Sequence, residues 1–478
     1  MLKGLLFFAY VLFSWTLVIY GVNVYYLLIR SLRKHSIPKK IRFDNYPLIT
    51  VQLPIYNEMY VARRLIEAVC RFDYPKLKMQ IQVLDDSNDD TGKICSEVVR
   101  EFRRKGYDIK HIRRDKRIGF KAGALQNGLA MAKGEFITIF DADFIPQPEF
   151  LVDIISYFSS EEIGLVQARW GHINENYSSL TQAQALSLDA HFMIEQKARG
   201  YSTLFMNFNG TAGIWRKSCI EDAGGWKDSL AEDLDLSLRA QLKGWKFVFL
   251  PKIVCPAELP VQMNASMRQQ FRWAKGSMQC ALRHTKTILL SPIPVETKLQ
   301  SLLQLTRHII HPLIIAQLLL LPLLMLAKFD LAPVTALLTQ IILGPPIYVF
   351  ALMKIYGNRW TRKVPSYFYL ILFGAGISVN NSRALFEIIM KRSSAFLRTP
   401  KFGVIRKSDE WMGKRYVLPF TNTALIESLL VGWGVLTFLI AIITGNFLLL
   451  PHILLLTLGF AYVSSLTIMH SISTHEKG

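Results

Sequence analysis

Four short segments carry residues whose types and spacing suit chemistry on a phosphorylated substrate. In FDADF, Asp141 and Asp143 follow the apolar run EFITIF. Two carboxylates two residues apart on an extended chain face the same side and can share one hard divalent cation, Mg2+ or Mn2+. A cation held there would neutralise a diphosphate and stabilise it as a leaving group. The same pair also suits a solvated turn after a strand. In VLDDSND, Asp85, Asp86 and Ser87 end another apolar run. A carboxylate there can accept hydrogen bonds from a nucleobase or ribose, or simply cap the next helix. In AEDLDLSL, Glu232, Asp233 and Asp235 open a helical pattern. The helix dipole favours carboxylates at that end whatever their role, and one of them would serve as a base toward an acceptor hydroxyl. Spacing does not say which. In QQFRW, on a helical stretch from Ser266 to Thr285, Gln269, Arg272 and Trp273 share one helical face. Arginine there can clamp a phosphate and tryptophan can lie under a sugar ring, while the same face also suits an amphipathic helix at a membrane surface.

These segments need a scaffold, and the chain supplies one between residue 45 and about 260. Short β-rich runs (Leu48 to Pro54, Ile81 to Leu84, Glu135 to Phe140, Gly164 to Arg169, Lys246 to Leu250) alternate with helical patterns near 58–71, 91–105, 122–133 and 233–242. This alternation predicts a mostly parallel sheet, whose ligands sit beyond the carboxyl ends of the strands. That is where the acidic residues lie.

Composition bounds the rest. The 478 residues are 51% hydrophobic and 19% charged, which excludes disordered, collagen-like and disulfide-scaffold chains. The five cysteines form no CxxC pair, so reduced thiols in a cytosolic domain are expected, with no zinc site. Uncharged runs at Gly4 to Leu28, His308 to Ala327, Val334 to Met353, Ser428 to Thr444 and Phe447 to Leu466 are each long enough to cross a bilayer. Pro365 to Asn380 is shorter and reads as a re-entrant or interfacial helix. Arg30, Arg33, Lys34, Lys39, Lys40 and Arg42 follow the first span, which places that flank, and the α/β domain with it, on the cytoplasmic side. The net charge of +20 is largely juxtamembrane. It is accounted for by anionic lipid and requires no nucleic-acid partner.

Taken in order, LPIYNE, Asp86, the Asp141/Asp143 pair, Glu232 with Asp233, and Gln269, Arg272 and Trp273 resemble glycosyltransferase family 2. The likeness is to its membrane-embedded processive branch of cellulose, hyaluronan and chitin synthases. VLDDSND, RIGFKAGAL, FNGTAGIWR, GGWKDS and QQFRW look most like the cellulose-synthase-like A and C enzymes, of which the first group makes β-mannan and glucomannan. This resemblance implies a Rossmann-like α/β GT-A catalytic domain joined to an α-helical transmembrane bundle with interfacial helices. It divides the chain into an N-terminal span (1–29), a cytosolic catalytic domain (30–262), interfacial helices (263–305), transmembrane helices with a re-entrant or interfacial helix (306–390), a gating-like loop (391–422) and two C-terminal spans (423–478).

The resemblance also implies roles. Tyr56, Glu58 and Asp86 would hold the donor's nucleoside, Asp141 and Asp143 its diphosphate through Mg2+ or Mn2+, and Gln269, Arg272 and Lys121 the diphosphate itself. Asp233, beside Glu232, would be the base. Asn209, Gly210 and Trp273 would meet the acceptor. Phe396, Thr399 and Lys401 in FLRTPKFG look like a gating loop, with Arg398 departing from the family pattern where valine is expected; a basic loop on lipid headgroups is the other reading. The implied activity is inverting transfer from GDP-mannose or UDP-glucose to a growing β-linked hexose polysaccharide, in a plasma, inner or Golgi membrane. Transfer to a lipid, as in ceramide glucosyltransferases, and a non-catalytic scaffold or exporter are the alternatives.

Overall fold

The computed structural model describes residues 2–33, 37–331, 345–392 and 396–475. The chain opens with helix α1 (Leu2–Leu32) and enters the α/β domain through β1 (Ile49–Ile55), α2 (Ala62–Val69), β2 (Met79–Asp85), α3 (Thr91–Arg104), β3 (Asp108–Ile112), α4 (Phe120–Ala130) and β4 (Phe136–Ile139). It continues through α5 (Phe150–Ile155), β5 (Ile163–His172), α6 (Ser179–Ala190), α7 (Lys197–Gly200), β6 (Gly213–Arg216), α8 (Lys217–Asp222), α9 (Glu232–Leu242) and β7 (Lys246–Ala257). Among the described residues the strands form one seven-stranded sheet in the order β3-β2-β1-β4-β6-β5-β7.

β1 pairs in parallel with β2 and β4, and β2 with β3. Both faces of β1, β2 and β4 are buried, which is why they read as largely apolar runs. One face packs on α2, α3 and α5 through Val51, Leu65, Cys95 and Ile154. The other packs on α4, α8 and α9 through Leu125, Ile139, Cys219 and Leu236. The polar exceptions inside pair across strands: Thr50 donates to Gln80 at 2.8 Å and Gln52 to Gln82 at 3.0 Å.

Two strands escape the sequence pattern. β3 alternates charged and apolar side chains at the sheet edge, and β6 is a four-residue strand inside the glycine-containing FNGTAGIWR stretch. β6 runs antiparallel to both β4 and β5, so the expected mostly parallel sheet is a mixed one. All five cysteines are free and buried.

The remaining helices are α10 (Met263–Leu290), α11 (Val295–Thr306), α12 (Ile310–Leu326), α13 (Pro345–Tyr356), α14 (Val364–Gly376), α15 (Ser378–Ile389), α16 (Thr423–Ile443) and α17 (Leu450–His475). Four segments among the described residues are long and apolar enough to cross a membrane: Lys3–Leu32, Val295–Leu326, Thr423–Ile443 and Phe447–Ile472. The expected span at Val334 to Met353 lies partly outside the described residues. Pro365 to Asn380 falls on α14 and the start of α15. α14 packs Leu370 and Phe373 in one cluster with Leu180 of α6 and Val463 of α17, which ties the α/β domain to the apolar helices. The apolar helical run holding α12 begins at Val295, within the stretch expected to be interfacial.

Candidate active site

Of the residues singled out in the sequence, those expected to meet donor, metal, acceptor or gate line one pocket beyond the carboxyl ends of β1, β2 and β4, while Asp85, Ser87 and Asp235 lie outside its lining. The Asp141/Asp143 pair does not continue the strand as expected. β4 stops at Ile139, and Ala142 and Asp143 lie in a turn, so the turn rather than the strand's two-residue period brings both carboxylates to the pocket. Asp141 is paired with Lys121 at 2.7 Å and Asp143 with Lys401 at 2.7 Å. No group of three His, Cys, Asp or Glu side chains among the described residues is gathered to hold a metal ion by itself. Two hard carboxylates still fit Mg2+ or Mn2+, because such ions are commonly bound by one or two carboxylates with water and substrate phosphate completing the shell.

Lys121 stands in the first turn of α4 and organises the centre of the pocket. Its ammonium also lies 3.5 Å from Glu232 and donates to the Gly210 carbonyl at 3.0 Å. Burial opposes its charge, but the Asp141 and Glu232 carboxylates outweigh burial and raise its pKa. Gly210 has φ +81°, and a Cβ there would lie 3.0 Å from Asp233 Oδ2 and 3.3 Å from Lys121 Nζ. Only glycine lets this carbonyl meet the lysine while its backbone lies against Asp233.

Helix α9 separates the three carboxylates that the sequence left equivalent. Asp235 turns away, fully buried, and is bonded to Arg239, Arg283 and His284 at 2.8, 2.9 and 2.8 Å. Glu232 and Asp233 line the pocket. Burial, reinforced by neighbouring Glu232 and opposed by Lys121, pushes the Asp233 carboxyl up to about 7. A carboxylate poised near neutrality is suited to taking a proton from a hydroxyl. The pair in VLDDSND divides likewise. Asp85 is buried against His111 at 2.8 Å and the Ser87 amide at 2.9 Å, while Asp86 faces the pocket.

Several residues in and behind the pocket wall are invisible as motifs. Arg114 grips both oxygens of Asp86 through Nε and Nη2, with Nε 2.9 Å from Oδ1, and donates from Nη1 to the Ile118 carbonyl at 2.8 Å and from Nη2 to the Phe120 carbonyl at 2.9 Å. Arg117 lies over the Tyr56 ring at 3.4 Å and over Phe120 at 4.9 Å. Phe120 stacks on Phe396 at 6.0 Å, and Arg272 covers Phe396 at 4.7 Å. These contacts form a cation–aromatic ladder from the turn after β1 to the QQFRW helix. The charge run RRDKR at 113–117 was the available signal for its arginines.

The FLRTPKFG loop enters the pocket and is fastened by Glu258. That buried carboxylate accepts from the Phe402 and Gly403 amides at 2.9 and 3.1 Å and pairs with Arg64 at 3.2 Å, while the Lys401 ammonium donates to its carbonyl. Arg398, the residue out of pattern, lies 3.3 Å from Glu58. Burial pushes Glu58 up to about 8 against the pull of Arg398. On the opposite wall, Asn209 accepts from Gln196 at 2.6 Å and meets His191 at 3.0 Å, on a π-helical turn over His191–Gln196.

Residues 47–276 match the family described as glycosyltransferase like family 2. This segment is a family 2 glycosyltransferase domain. The domain is 46% identical over 237 residues to a probable glucomannan 4-beta-mannosyltransferase 7 of Oryza sativa subsp. japonica, covering 48% of this chain and 40% of the relative. It is 44% identical over 239 residues to glucomannan 4-beta-mannosyltransferase 2 of Arabidopsis thaliana, covering 49% and 45%. The match thus spans less than half the length of these curated relatives. A mannosyltransferase from Pyrobaculum calidifontis, solved in complex with GDP-Man and Mn2+, superposes with a TM-score of 0.58 at 18% identity, covering 82% of this chain and 100% of that one. The family 2 domain therefore shares the GT-A-like mixed α/β fold.

Proposed function

We propose that the protein is an inverting, metal-dependent hexosyltransferase that extends a β-linked mannan or glucomannan processively, with GDP-mannose as the donor and UDP-glucose as the competing choice. The observation that carries this reading is the convergence of Asp233, Lys121 and the Asp141/Asp143 pair in one pocket with Trp273. The names of the rice and Arabidopsis relatives support mannose, and the Mn2+ complex of the Pyrobaculum enzyme supports a divalent ion.

In this mechanism Asp233 takes the proton from the acceptor hydroxyl. The alkoxide oxygen forms a bond to the sugar's anomeric carbon from the face opposite the leaving group, and the carbon–oxygen bond to the diphosphate breaks. A single displacement of this kind inverts the configuration. Mg2+ or Mn2+, when held by Asp141 and Asp143, supplies positive charge to the departing diphosphate. Lys121, Gln269 and Arg272 add hydrogen bonds to the same group, and Asp86, Tyr56 and Glu58 hold the nucleoside. Trp273 supports the terminal sugar of the acceptor, with Asn209 and Gly210 beside it.

The FLRTPKFG loop is the gate in this reading. With the loop in place, the pocket has about 170 Å³ of free space, below the roughly 300 Å³ at which ligand pockets begin. Donor entry therefore requires Phe396, Thr399 and Lys401 to withdraw, and Lys401 to leave Asp143. The apolar helices hold the domain in a bilayer on its cytoplasmic side.

The deciding experiment incubates the purified full chain in nanodiscs with Mn2+ and radiolabelled GDP-mannose or UDP-glucose, then sizes and digests the product. A long product cut by β-mannanase is expected with GDP-mannose. A single-sugar product soluble in organic solvent would replace this reading with lipid glycosylation.

A further inference from the structure

A second cavity, of about 420 Å³, lies beside the active pocket and shares Arg272 with it. It is enclosed by α10, α15 and the segment entering α16. Arg268 and Arg383 add two more guanidinium groups, with Asn264, Asn380 and Thr423 completing the polar lining. Arg383 lies over the Phe271 ring at 4.7 Å. Among the described residues no carboxylate lies within 4.0 Å of the Arg268 or Arg383 guanidinium, and Glu427 acts on Arg383 from farther away. The carboxylate in the lining, Glu387, is held by Lys275 at 2.7 Å. On the neighbouring α16, neither oxygen of Glu427 has a hydrogen-bond partner among the described residues.

Arg268 and Arg272 are half-buried and Arg383 is exposed, and these three guanidinium groups outnumber the nearby carboxylates of Glu387 and Glu427, so the natural complement of the remaining positive charge is an anion. Burial and the nearby Arg398 both lower the Arg268 pKa, which is what an unneutralised site produces. The cavity's position indicates where the anion comes from. Thr423, in its lining, is the first residue of α16, a helix long and apolar enough to cross a membrane. Leu425, Ile426 and Leu429 on that helix, with Phe386 and Ile389 on α15, are exposed apolar side chains. Arginines thus stand at one end of a lipid-accessible surface. Basic pockets between helices at a membrane surface hold anionic headgroups, and arginine matches phosphate oxygens with two parallel hydrogen bonds.

We propose that this cavity binds the phosphate headgroup of an anionic phospholipid through Arg268 and Arg383, with the acyl chains lying along α15 and α16. Arg272 belongs to both cavities, so the bound lipid sits against the wall of the active pocket. The site is independent of donor identity and of the transfer chemistry, and it is tested without either.

The test uses the full chain in nanodiscs of mixed phosphatidylglycerol and phosphatidylcholine, followed by native mass spectrometry of released protein. Wild-type protein should retain one phosphatidylglycerol in preference to phosphatidylcholine. Arg268→Gln combined with Arg383→Gln should weaken retention by about thirtyfold, the loss expected for two juxtamembrane arginines. Arg268→Lys with Arg383→Lys should keep much of the binding, and Arg359→Gln with Arg362→Gln, two exposed arginines between α13 and α14, should leave it unchanged. Equal retention of the two lipids, undiminished retention in the glutamine variant, or an equal loss in the Arg359/Arg362 control would overturn the proposal. Displacement of the lipid by millimolar inorganic phosphate would assign the cavity to free phosphate instead. Should the glutamine variant fail to fold, the lysine variant and the phosphate competition on wild-type protein still decide the matter.

Discussion

Asp233 and its neighbours illustrate how much a few contacts fix. If Asp233 is the base, Asp233→Asn keeps the shape but removes the proton acceptor, so transfer should fall by about a hundredfold or more while donor affinity, measured by nucleotide titration, stays near wild type. The Asp233 carboxyl is pushed up to about 7 by burial and then by Glu232. It is therefore protonated, and idle as a base, below that pH. The kcat/KM profile should rise with pH through about 7, and a profile flat between pH 5 and 8 would assign the proton transfer to another group. Arg114 tests the nucleoside wall. Arg114→Gln removes the two-point grip on Asp86, and the loss of charge-assisted hydrogen bonds worth about 1.5–3 kcal/mol should raise the donor KM about tenfold or more with little change in kcat. The acidic positions and Gln269, Arg272 and Trp273 were legible in the sequence because each stands in a compact motif at a predicted element end. Arg114, Arg117 and Glu258 were not, and Arg398 stood out only as a departure from pattern, because their meaning lies in partners far along the chain. Glu258 meets Arg64 across one side of the domain and Phe402 across the other.

At the level of elements, the strands carrying the motifs could be read because burial on both faces makes them apolar runs. β3 and β6 could not. The first is a charged edge strand, and the second hides in a glycine-containing stretch whose four residues pair antiparallel between β4 and β5. The gating-like loop depends on a different kind of order. It has no regular structure, and Glu258 holds it through two backbone amides and a lysine. Glu258→Ala should leave Arg64 and those amides unpaired, a loss of about 3–5 kcal/mol for a broken buried ion pair. Hydrogen exchange at residues 396–404 should then accelerate strongly while exchange in β1 and β2 stays slow. Uniform acceleration across the sheet would instead make Glu258 a general stabiliser of the domain.

On the scale of the whole molecule, the α/β domain and the apolar helices are joined through α6, α10 and α14 rather than by a free linker. Leu180, Met263 and Phe373 share one buried cluster with Val463. A rigid join of this kind fixes the pocket at a set height above the bilayer. The chain should resist alkaline carbonate extraction, and in sealed vesicles the α/β domain should be open to protease only from the cytoplasmic face. Protection on that face would reverse the orientation inferred from the basic flank after the first span. The five buried, unbridged cysteines have a practical corollary. A maleimide dye finds no ready thiol on the native surface, so one cysteine introduced in the FLRTPKFG loop and another on α3 would accept a fluorophore pair without stripping the natural ones. The unaltered protein is thus already a background for a spectroscopic ruler, on which opening and closing of the loop could be timed during turnover.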